Sequence, residues 1–150
     1  MSSEEFPETI ILVHRREKPH KCSVEPLRGR NGFAFHVYPD PLELRLDNYI
    51  RLGFDGPPLS DADQSRGLLI LDATWRLAKR MENVYSHVPA RSLPVCQTAY
   101  PRVSKAEDDP LGGLATVEAI YVAYQILGRD VSGLLDRYHW KEEFLSRNQF

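Results

Sequence analysis

Short runs of apolar residues recur along the chain and end at polar or turn-forming positions. Two of these runs, Thr9–Val13 and Leu68–Leu71, are almost continuously apolar. Strands of a parallel sheet are buried on both faces and therefore read as unbroken hydrophobic runs. We expect both runs to be buried strands. Phe33–Tyr38 and part of Arg91–Ala99 are two further strand candidates.

Apolar residues at helical spacing follow the second of these runs. The residues concerned are Leu77, Met81 and Val84. Thr74 has a side chain preferred at N-caps, so we expect the helix to start there. Ser60 is predicted to cap a shorter helix, Asp61–Ser65, and Ser23 to cap one that runs through Leu27.

Two amphipathic patterns near the end of the sequence predict two more helices. The first is expected to be capped by Thr116 and to end at Gly128, since glycine commonly terminates helices. Its apolar face consists of Val117, Ile120, Tyr121, Tyr124 and Leu127. Asp130 is expected to cap the last helix. The apolar positions of that helix are Val131, Leu134, Leu135, Tyr138 and Phe144.

The order of these elements predicts the fold class. Leu42, Leu44 and Leu46 alternate with polar residues as in a half-exposed strand, although Leu42–Leu52 also fits a helix, so the order is β-α-β-(β)-α-β-α-β-α-α. Such alternation is typical of an α/β fold with a mostly parallel sheet and flanking helices. With 150 residues and 42% hydrophobic content, the chain fits a single domain. We expect its N-terminal part to cover about residues 8–90 and its C-terminal part residues 91–148.

Composition excludes several classes of protein. The net charge of −2 is not that of a generally basic nucleic-acid-binding protein, so any RNA contact depends on a local patch. Two cysteines are too few for a disulfide framework, which favours a reducing, cytoplasmic setting. The N-terminus lacks the apolar segment of a signal peptide, and no apolar run reaches membrane-spanning length. The evenly distributed charge suggests a monomer.

Common catalytic and phosphate-binding motifs are absent from the sequence. There is no GxGxxG, phosphate loop, HExxH or GxSxG motif. The five histidines are scattered without the spacing of metal ligands, so we expect no metal site. Cys22 lies near His20, but a thiol nucleophile also needs an orienting partner, and none is evident.

Candidate chemistry is concentrated in the turn that follows Leu68–Leu71. Asp72, Thr74 and Trp75 place a carboxylate, a hydroxyl and an indole at the carboxyl end of the predicted central strand. Ligands of open α/β sheets bind at that edge. The alternative is a capped turn in which the polar side chains only bind helix amides.

Basic residues are grouped in two places. The segment His14–Lys21 is strongly basic, and Arg76, Lys79 and Arg80 share one side of the predicted helix. Both groups are either solvated surface or contacts to a phosphate backbone, and charge alone does not decide between these. The segment Tyr100–Gly113 is long enough for a binding loop, with disorder as the alternative.

The sequence of the turn after Leu68–Leu71 also resembles a signature of a known superfamily. LDATW, Leu71–Trp75, resembles the Asp-x-Ser/Thr-Trp signature of the DTW-domain proteins and of the small-subunit rRNA aminocarboxypropyltransferases. Other segments resemble the rRNA enzymes in the same order: KCS at Lys21–Ser23, PLSDAD at Pro58–Asp63, RSLP at Arg91–Pro94, GLATVEA at Gly113–Ala119 and HWKEEFLSRN at His139–Asn148. The chain departs from them at Thr98–Lys105, where they have Ala-Asn-Pro-x-Asn-Tyr-Gly.

The resemblance implies a SPOUT-like, trefoil-knotted fold that binds S-adenosylmethionine in the C-terminal part of the chain. The implied reaction transfers the 3-amino-3-carboxypropyl group to a uridine-type base in RNA, with rRNA favoured and ribosome biogenesis as the setting. The departure at Thr98–Lys105 keeps open a tRNA-modifying enzyme of the DTW type. A methyltransferase and a non-catalytic RNA-binding module are further alternatives.

The resemblance also implies roles for individual residues. Asp72 either complements the sulfonium charge or accepts the proton of the attacking base, and positioning is favoured. Trp75 and Ala78 would enclose the methyl group, and Leu93 and Pro94 would line the adenine site. Ser23 and Thr116 would hold the carboxylate at helix N-termini. The implied RNA contacts are Arg15, Arg16, Lys18, Lys21, Arg76, Lys79, Arg80, Arg91 and Arg102.

Overall fold

A parallel β-sheet is the centre of the computed structural model. The structure describes residues 6–15, 24–38, 45–53, 56–73, 75–99 and 114–150, with Trp75 described by its backbone alone. The strands are β1 (Thr9–His14), β2 (Phe33–Tyr38), β3 (Tyr49–Leu52), β4 (Gly67–Asp72) and β5 (Ala90–Arg91). The helices are α1 (Trp75–Val84), α2 (Thr116–Leu127) and α3 (Lys141–Asn148), with short 3₁₀ helices at Glu25–Leu27 and Asp61–Asp63.

The strands are arranged in the order β2-β1-β4-β3-β5, and each neighbouring pair is parallel. Both apolar runs of the sequence lie in the middle of this sheet, and every residue of β1 and β4 is buried. Alternate residues of a strand point to opposite faces. Ile11 and Ile70 accordingly pack in one layer, while Leu12 and Leu71 pack in the other. The expected α/β fold with a mostly parallel sheet is confirmed.

Helices cover the two faces unequally. The larger layer contains α2 and α3, represented by Ile120, Ala123 and Phe144. The smaller layer contains Met81 of α1 and Val88. Val84, which the sequence pattern placed on the apolar face of α1, is the last residue of the helix and is 52% exposed, so that part of the prediction is wrong.

Strand β3 corrects the prediction for Leu42–Leu52. Residues 41–44 lie outside the described range, and Leu46 has no regular secondary structure. The strand begins at Tyr49, directly after a turn in which Asn48 adopts a φ of 64°. Asn48 donates its side-chain amide to the Ser65 carbonyl at 3.0 Å, which holds the turn beside the start of β4. The helical alternative is therefore wrong over Tyr49–Leu52, and most of the alternation at Leu42–Leu46 lies outside the described residues.

The last predicted helix is also corrected. Residues 131–138 form successive turns, and α3 starts only at Lys141. Gly133 has a φ of 79°, which interrupts a right-handed helix, and Asp130 accepts a hydrogen bond from the Ser132 amide at 2.9 Å. Leu134 and Tyr138 are nevertheless buried, so the apolar positions were identified correctly although the local backbone was not.

The shorter elements agree with the sequence in part. Ser60 caps the 3₁₀ helix Asp61–Asp63, which is shorter than predicted, and accepts a hydrogen bond from the Ala62 amide at 3.3 Å. Within Arg91–Ala99, only Arg91 belongs to a strand. Among the described residues, no helix is both long and apolar enough to span a membrane.

Candidate active site

Asp72 and Thr116 form the centre of the candidate site, and we call this pair the edge site. All strands are parallel, so their carboxyl ends share one edge of the sheet, where Asp72 ends β4 beside Val13 of β1. Asp72 is only 5% exposed. Its Oδ1 accepts a hydrogen bond of 2.6 Å from Thr116 Oγ1. The structure therefore brings together two predicted site residues that are 44 positions apart in sequence.

Thr116 lies at the start of α2, but it does not cap the helix as the sequence predicted. The N-cap is Ala115, and Thr116 is the first helical residue. Its hydroxyl is buried and is directed to Asp72. A hydrogen bond to a carboxylate is shorter and stronger than one between neutral groups, and burial enhances it further. Thr116 therefore fixes the orientation of the Asp72 carboxylate.

Glu118 lies two residues further along α2 and is fully buried. Its Oε1 accepts hydrogen bonds from the Ala115 amide at 2.9 Å and from Thr98 Oγ1 at 2.6 Å. Its Oε2 accepts from the Ala99 amide at 2.9 Å and from the Tyr138 hydroxyl at 2.8 Å. A buried charge is costly unless it is hydrogen-bonded, and these four donors satisfy it. Glu118 thus connects the start of α2 to the segment that follows β5.

Sequence reasoning missed Glu118 as a functional candidate. One signal was available, since Glu at the third helical position often accepts from the N-cap amide, and Glu118 does so at Ala115. Nothing in the sequence indicates its partners Thr98, Ala99 and Tyr138, because these contacts depend on the tertiary fold. The resemblance included Glu118 in its motif without assigning it a role.

Comparisons with known proteins bear on the fold. The structure resembles the SAM-dependent rRNA:acp-transferase Tsr3 from Vulcanisaeta distributa, with a TM-score of 0.74. The likeness is one of fold. Sequence identity is 23%, and the match covers 96% of this chain and 79% of the Tsr3 chain. Neither a protein-family model nor a curated protein sequence matches the chain.

The other predicted donor-site residues differ in burial, and some lie outside the described part of the chain. Ala78 is buried in α1, Leu93 is half-buried against the core, and Pro94 is exposed. Trp75 begins α1, and its side chain is not described. Ser23 and Thr74 lie outside the described residues.

Cys96 lies in the segment after β5 and packs against the core. Burial raises the pKa of its thiol above the usual 9.0, and the nearby Glu118 carboxylate raises the pKa further. The thiolate is the reactive form of cysteine, so this residue is unsuited to act as a nucleophile at neutral pH. Among the described residues, no group of three or more His, Cys, Asp or Glu side chains is arranged to hold a metal ion.

The predicted RNA-binding residues are partly exposed. Arg15 lies just beyond β1, and Arg76, Lys79 and Arg80 are exposed on α1. Arg91 differs, because its Nε lies 3.2 Å from Oδ2 of the buried Asp63 in an internal ion pair. Four further predicted contacts lie outside the described residues, namely Arg16, Lys18, Lys21 and Arg102.

Two cavities lie at the opposite, amino edge of the sheet. One of about 860 Å³ is lined by residues before β3 and β4, including Asn48 and Arg66. The other, about 320 Å³, is bordered by Phe33 and Arg129. Neither is lined by Asp72 or Thr116. Open α/β sheets bind ligands at the carboxyl edge, so the edge site remains the candidate despite these cavities.

Arg129 belongs to the framework at that amino edge. Its guanidinium lies 3.8 Å from the ring centroid of Phe6, and its Nη2 donates to the carbonyls of Gln64 and Arg66. Burial lowers the pKa of its guanidinium, while Tyr124 opposes that change. Arg129 thus ties the end of α2 to the start of β4.

Proposed function

We propose that this protein transfers the 3-amino-3-carboxypropyl group from S-adenosylmethionine to a uridine-type base in RNA, with rRNA as the favoured substrate. The observation that supports this most strongly is the buried hydrogen bond between Thr116 and Asp72. It joins two motifs that resemble those of rRNA aminocarboxypropyltransferases, LDATW and GLATVEA, at the ligand-binding edge of the sheet. The fold likeness to Tsr3, an enzyme described as an SAM-dependent rRNA:acp-transferase, supports the same assignment.

The proposed reaction is a substitution at carbon. A ring nitrogen of the base attacks the γ-carbon of the methionine moiety, a nitrogen–carbon bond forms, and the bond between that carbon and sulfur breaks. The sulfur keeps the bonding electron pair and leaves in methylthioadenosine. The nitrogen loses its proton to a nearby base or to water. Since the sulfonium is already activated, holding the reactants in line supplies most of the acceleration.

Asp72 is proposed to complement the positive charge of the donor. Its carboxylate is buried, so its field is weakly screened by water. The hydrogen bond from Thr116 fixes the direction of the carboxylate. Because the Thr116 hydroxyl already donates to Asp72, we assign Thr116 to holding Asp72 and leave the donor carboxylate to amide groups at the start of α2 and to Ser23.

Apolar residues would select which carbon of the sulfonium reacts. The methyl group must be enclosed while the γ-carbon stays exposed to the base, and Trp75 and Ala78 are assigned to this enclosure. Leu93 and Pro94 are assigned to the adenine. Ala78 is buried at the helix that follows the edge site, in keeping with that assignment.

We also propose that the chain forms one α/β domain, because the larger core layer joins Ile11 and Ile70 of the sheet to Phe144 of α3. The trefoil knot is part of the proposal, and residues 100–113, which precede α2, lie outside the described range. We further propose a monomer that acts on RNA in the cytoplasm during ribosome biogenesis.

RNA is proposed to bind along the exposed basic side of α1 and beside Arg15. Arg76, Lys79 and Arg80 are exposed there, and α1 begins three residues after Asp72. Contacts to phosphates position an RNA without reading its sequence. The target base would be unstacked to reach the donor.

The test uses two labels on the donor. Purified protein is incubated with RNA from cells that lack it, once with S-adenosylmethionine labelled in the carboxyl carbon and once with the methyl-labelled compound. The proposal predicts that RNA gains the carboxyl label only, while methylthioadenosine is released. Transfer of the methyl label, with release of adenosylhomocysteine, would identify a methyltransferase. Transfer of neither label would favour a non-catalytic RNA-binding module.

Fractionation of the labelled RNA identifies the substrate class. Label in small-subunit rRNA supports the favoured substrate, and nucleoside mass spectrometry then identifies the base. Label in tRNA would instead indicate the alternative, an enzyme of the DTW type.

A further inference from the structure

The segment Gln97–Ala99, which follows β5, is held by side chains instead of a neighbouring strand. It has no regular secondary structure. The Gln97 amide donates to Asn148 Oδ1 at 2.7 Å, and Asn148 Nδ2 donates to the Gln97 carbonyl at 2.8 Å. The side-chain amide of Asn148 therefore satisfies both polar groups of one backbone residue, as a paired strand would do.

Two more side chains complete this attachment. Arg147 Nη1 donates to the Thr98 carbonyl at 2.6 Å. Glu118 accepts from Thr98 Oγ1 and from the Ala99 amide. We call Glu118, Arg147 and Asn148 the clamp. Its members come from α2 and α3, so the position of the segment is set by these two helices.

The clamp is connected to the edge site through the first turn of α2. Glu118 bonds the N-cap amide of Ala115, and Thr116 bonds Asp72. Ala99 is therefore linked to Asp72 through a short series of buried hydrogen bonds, while Gln97 is held by exposed bonds from α3. The segment Gln97–Ala99 also continues the stretch that contains Leu93 and Pro94, which are assigned to the adenine.

We propose that Asn148 and Glu118 are positioning residues that hold Gln97–Ala99 as one wall of the donor site. This inference rests on the proposed function, and it adds that the last helix controls affinity for S-adenosylmethionine. A wall that contacts the donor equally in the ground and transition states contributes uniform binding. Loosening it therefore raises KM for the donor more than it lowers kcat.

The test compares Asn148→Ala with Ser146→Ala, a control at an exposed position on the same helix. Calorimetric titration with S-adenosylmethionine is expected to show about tenfold weaker binding for Asn148→Ala, the usual scale for losing one or two hydrogen bonds. The control is expected to bind like the unaltered protein. In the labelled-donor assay, Asn148→Ala is expected to raise KM more than it lowers kcat, which a general loss of stability would not produce.

A second readout does not depend on the donor. Cys96 immediately precedes the segment, and mass spectrometry of its peptide reports its alkylation. The Asn148→Ala change adds no charge, so faster alkylation of Cys96 than in the control would reflect loosening of the segment. Should Asn148→Ala fail to fold, Arg147→Ala removes the bond to Thr98 from an exposed position and is expected to act in the same direction.

The outcomes separate the two claims. If the unaltered protein binds S-adenosylmethionine and Asn148→Ala binds it equally well, the inference is wrong and the proposed function stands. If the unaltered protein does not bind S-adenosylmethionine, the proposed function fails and this inference fails with it. Unchanged Cys96 alkylation in Asn148→Ala would show that the clamp does not hold the segment, whatever the donor.

Discussion

At the scale of single residues, the candidate site depends on buried carboxylates that accept hydrogen bonds from distant parts of the chain. Asp72 and Glu118 are both buried carboxylates, and each lies where the fold supplies donors from a distant part of the chain. Asp72 has a hydroxyl donor in Thr116, whereas Glu118 combines backbone and side-chain donors. The first arrangement leaves a carboxylate at the carboxyl edge of the sheet, the edge at which open α/β sheets bind ligands. The second fixes the surrounding backbone.

Replacement of Thr116 by Val should reveal the strength of its bond to Asp72. Valine keeps the shape of the side chain but removes the donor, so a buried carboxylate loses a partner. We expect the free energy of unfolding to fall by about 1–3 kcal/mol, measured by urea denaturation. Thr116→Ser keeps the hydroxyl and should retain most of the stability. Equal stability of the two variants would mean that the bond contributes nothing.

Asp130 provides a prediction about pH. Its carboxylate accepts hydrogen bonds from the Ser132 backbone and side chain, which hold its pKa below the usual 3.8. Folding therefore stabilises the ionised form, a contribution present above pH 3.8 and lost as the pH falls through the lowered pKa. Asp130→Ala should be less stable than the unaltered protein at pH 7, and the difference should shrink under acidic conditions. A difference that does not vary with pH would contradict this.

At the scale of secondary structure, the elements followed from sequence where local pattern and burial agree. The apolar runs in β1 and β4 and the periodic apolar face of α2 predicted these elements correctly. Strand β3 could not be predicted from its own sequence pattern, because its burial depends on the neighbouring strands. The turns at residues 131–138 kept the apolar spacing of a helix, but Gly133 with its positive φ breaks the backbone.

The glycine that ends α2 is a local sequence signal whose contribution to stability can be measured. Gly128 adopts a φ of 72°, where a Cβ atom meets no neighbour within 4 Å but the backbone conformation itself is strained. We expect Gly128→Ala to lower the free energy of unfolding by about 1 kcal/mol, measured by urea denaturation. The control is Gln125→Ala, an exposed substitution inside the same helix. If Gly128→Ala is as stable as this control, the left-handed cap does not matter.

At the scale of the whole molecule, the parallel sheet brings distant segments to one edge. Asp72 and Thr116 were predicted as site residues from turn and capping signals together with the family resemblance, and their roles stay predictions. The direct hydrogen bond between them and the clamp could not be predicted, since both depend on how α2 and α3 pack against the sheet. The partners of Glu118 range from Thr98 to Tyr138, and no local pattern links such positions.

The distribution of charge leads to a prediction about RNA binding. Lys79 and Arg80 are exposed on α1, whereas Arg137 and Lys141 belong to the region near α3. Changing Lys79 and Arg80 to Ala should weaken RNA binding and reduce the slope of log affinity against log salt by about 1–2, because two phosphate contacts are lost. The matched double change at Arg137 and Lys141 should leave the slope unchanged. Equal effects of the two pairs would exclude α1 as the RNA-binding side.

The most direct test of the account is a calorimetric titration of the protein with S-adenosylmethionine, repeated with Asp72→Asn and with the control Asp136→Asn at an exposed carboxylate. We expect one bound S-adenosylmethionine per chain, binding at least about tenfold weaker in Asp72→Asn, and no change in the control. Absence of binding to the unaltered protein, or equal affinity in Asp72→Asn, would contradict the claim that the carboxyl edge of this sheet holds the donor.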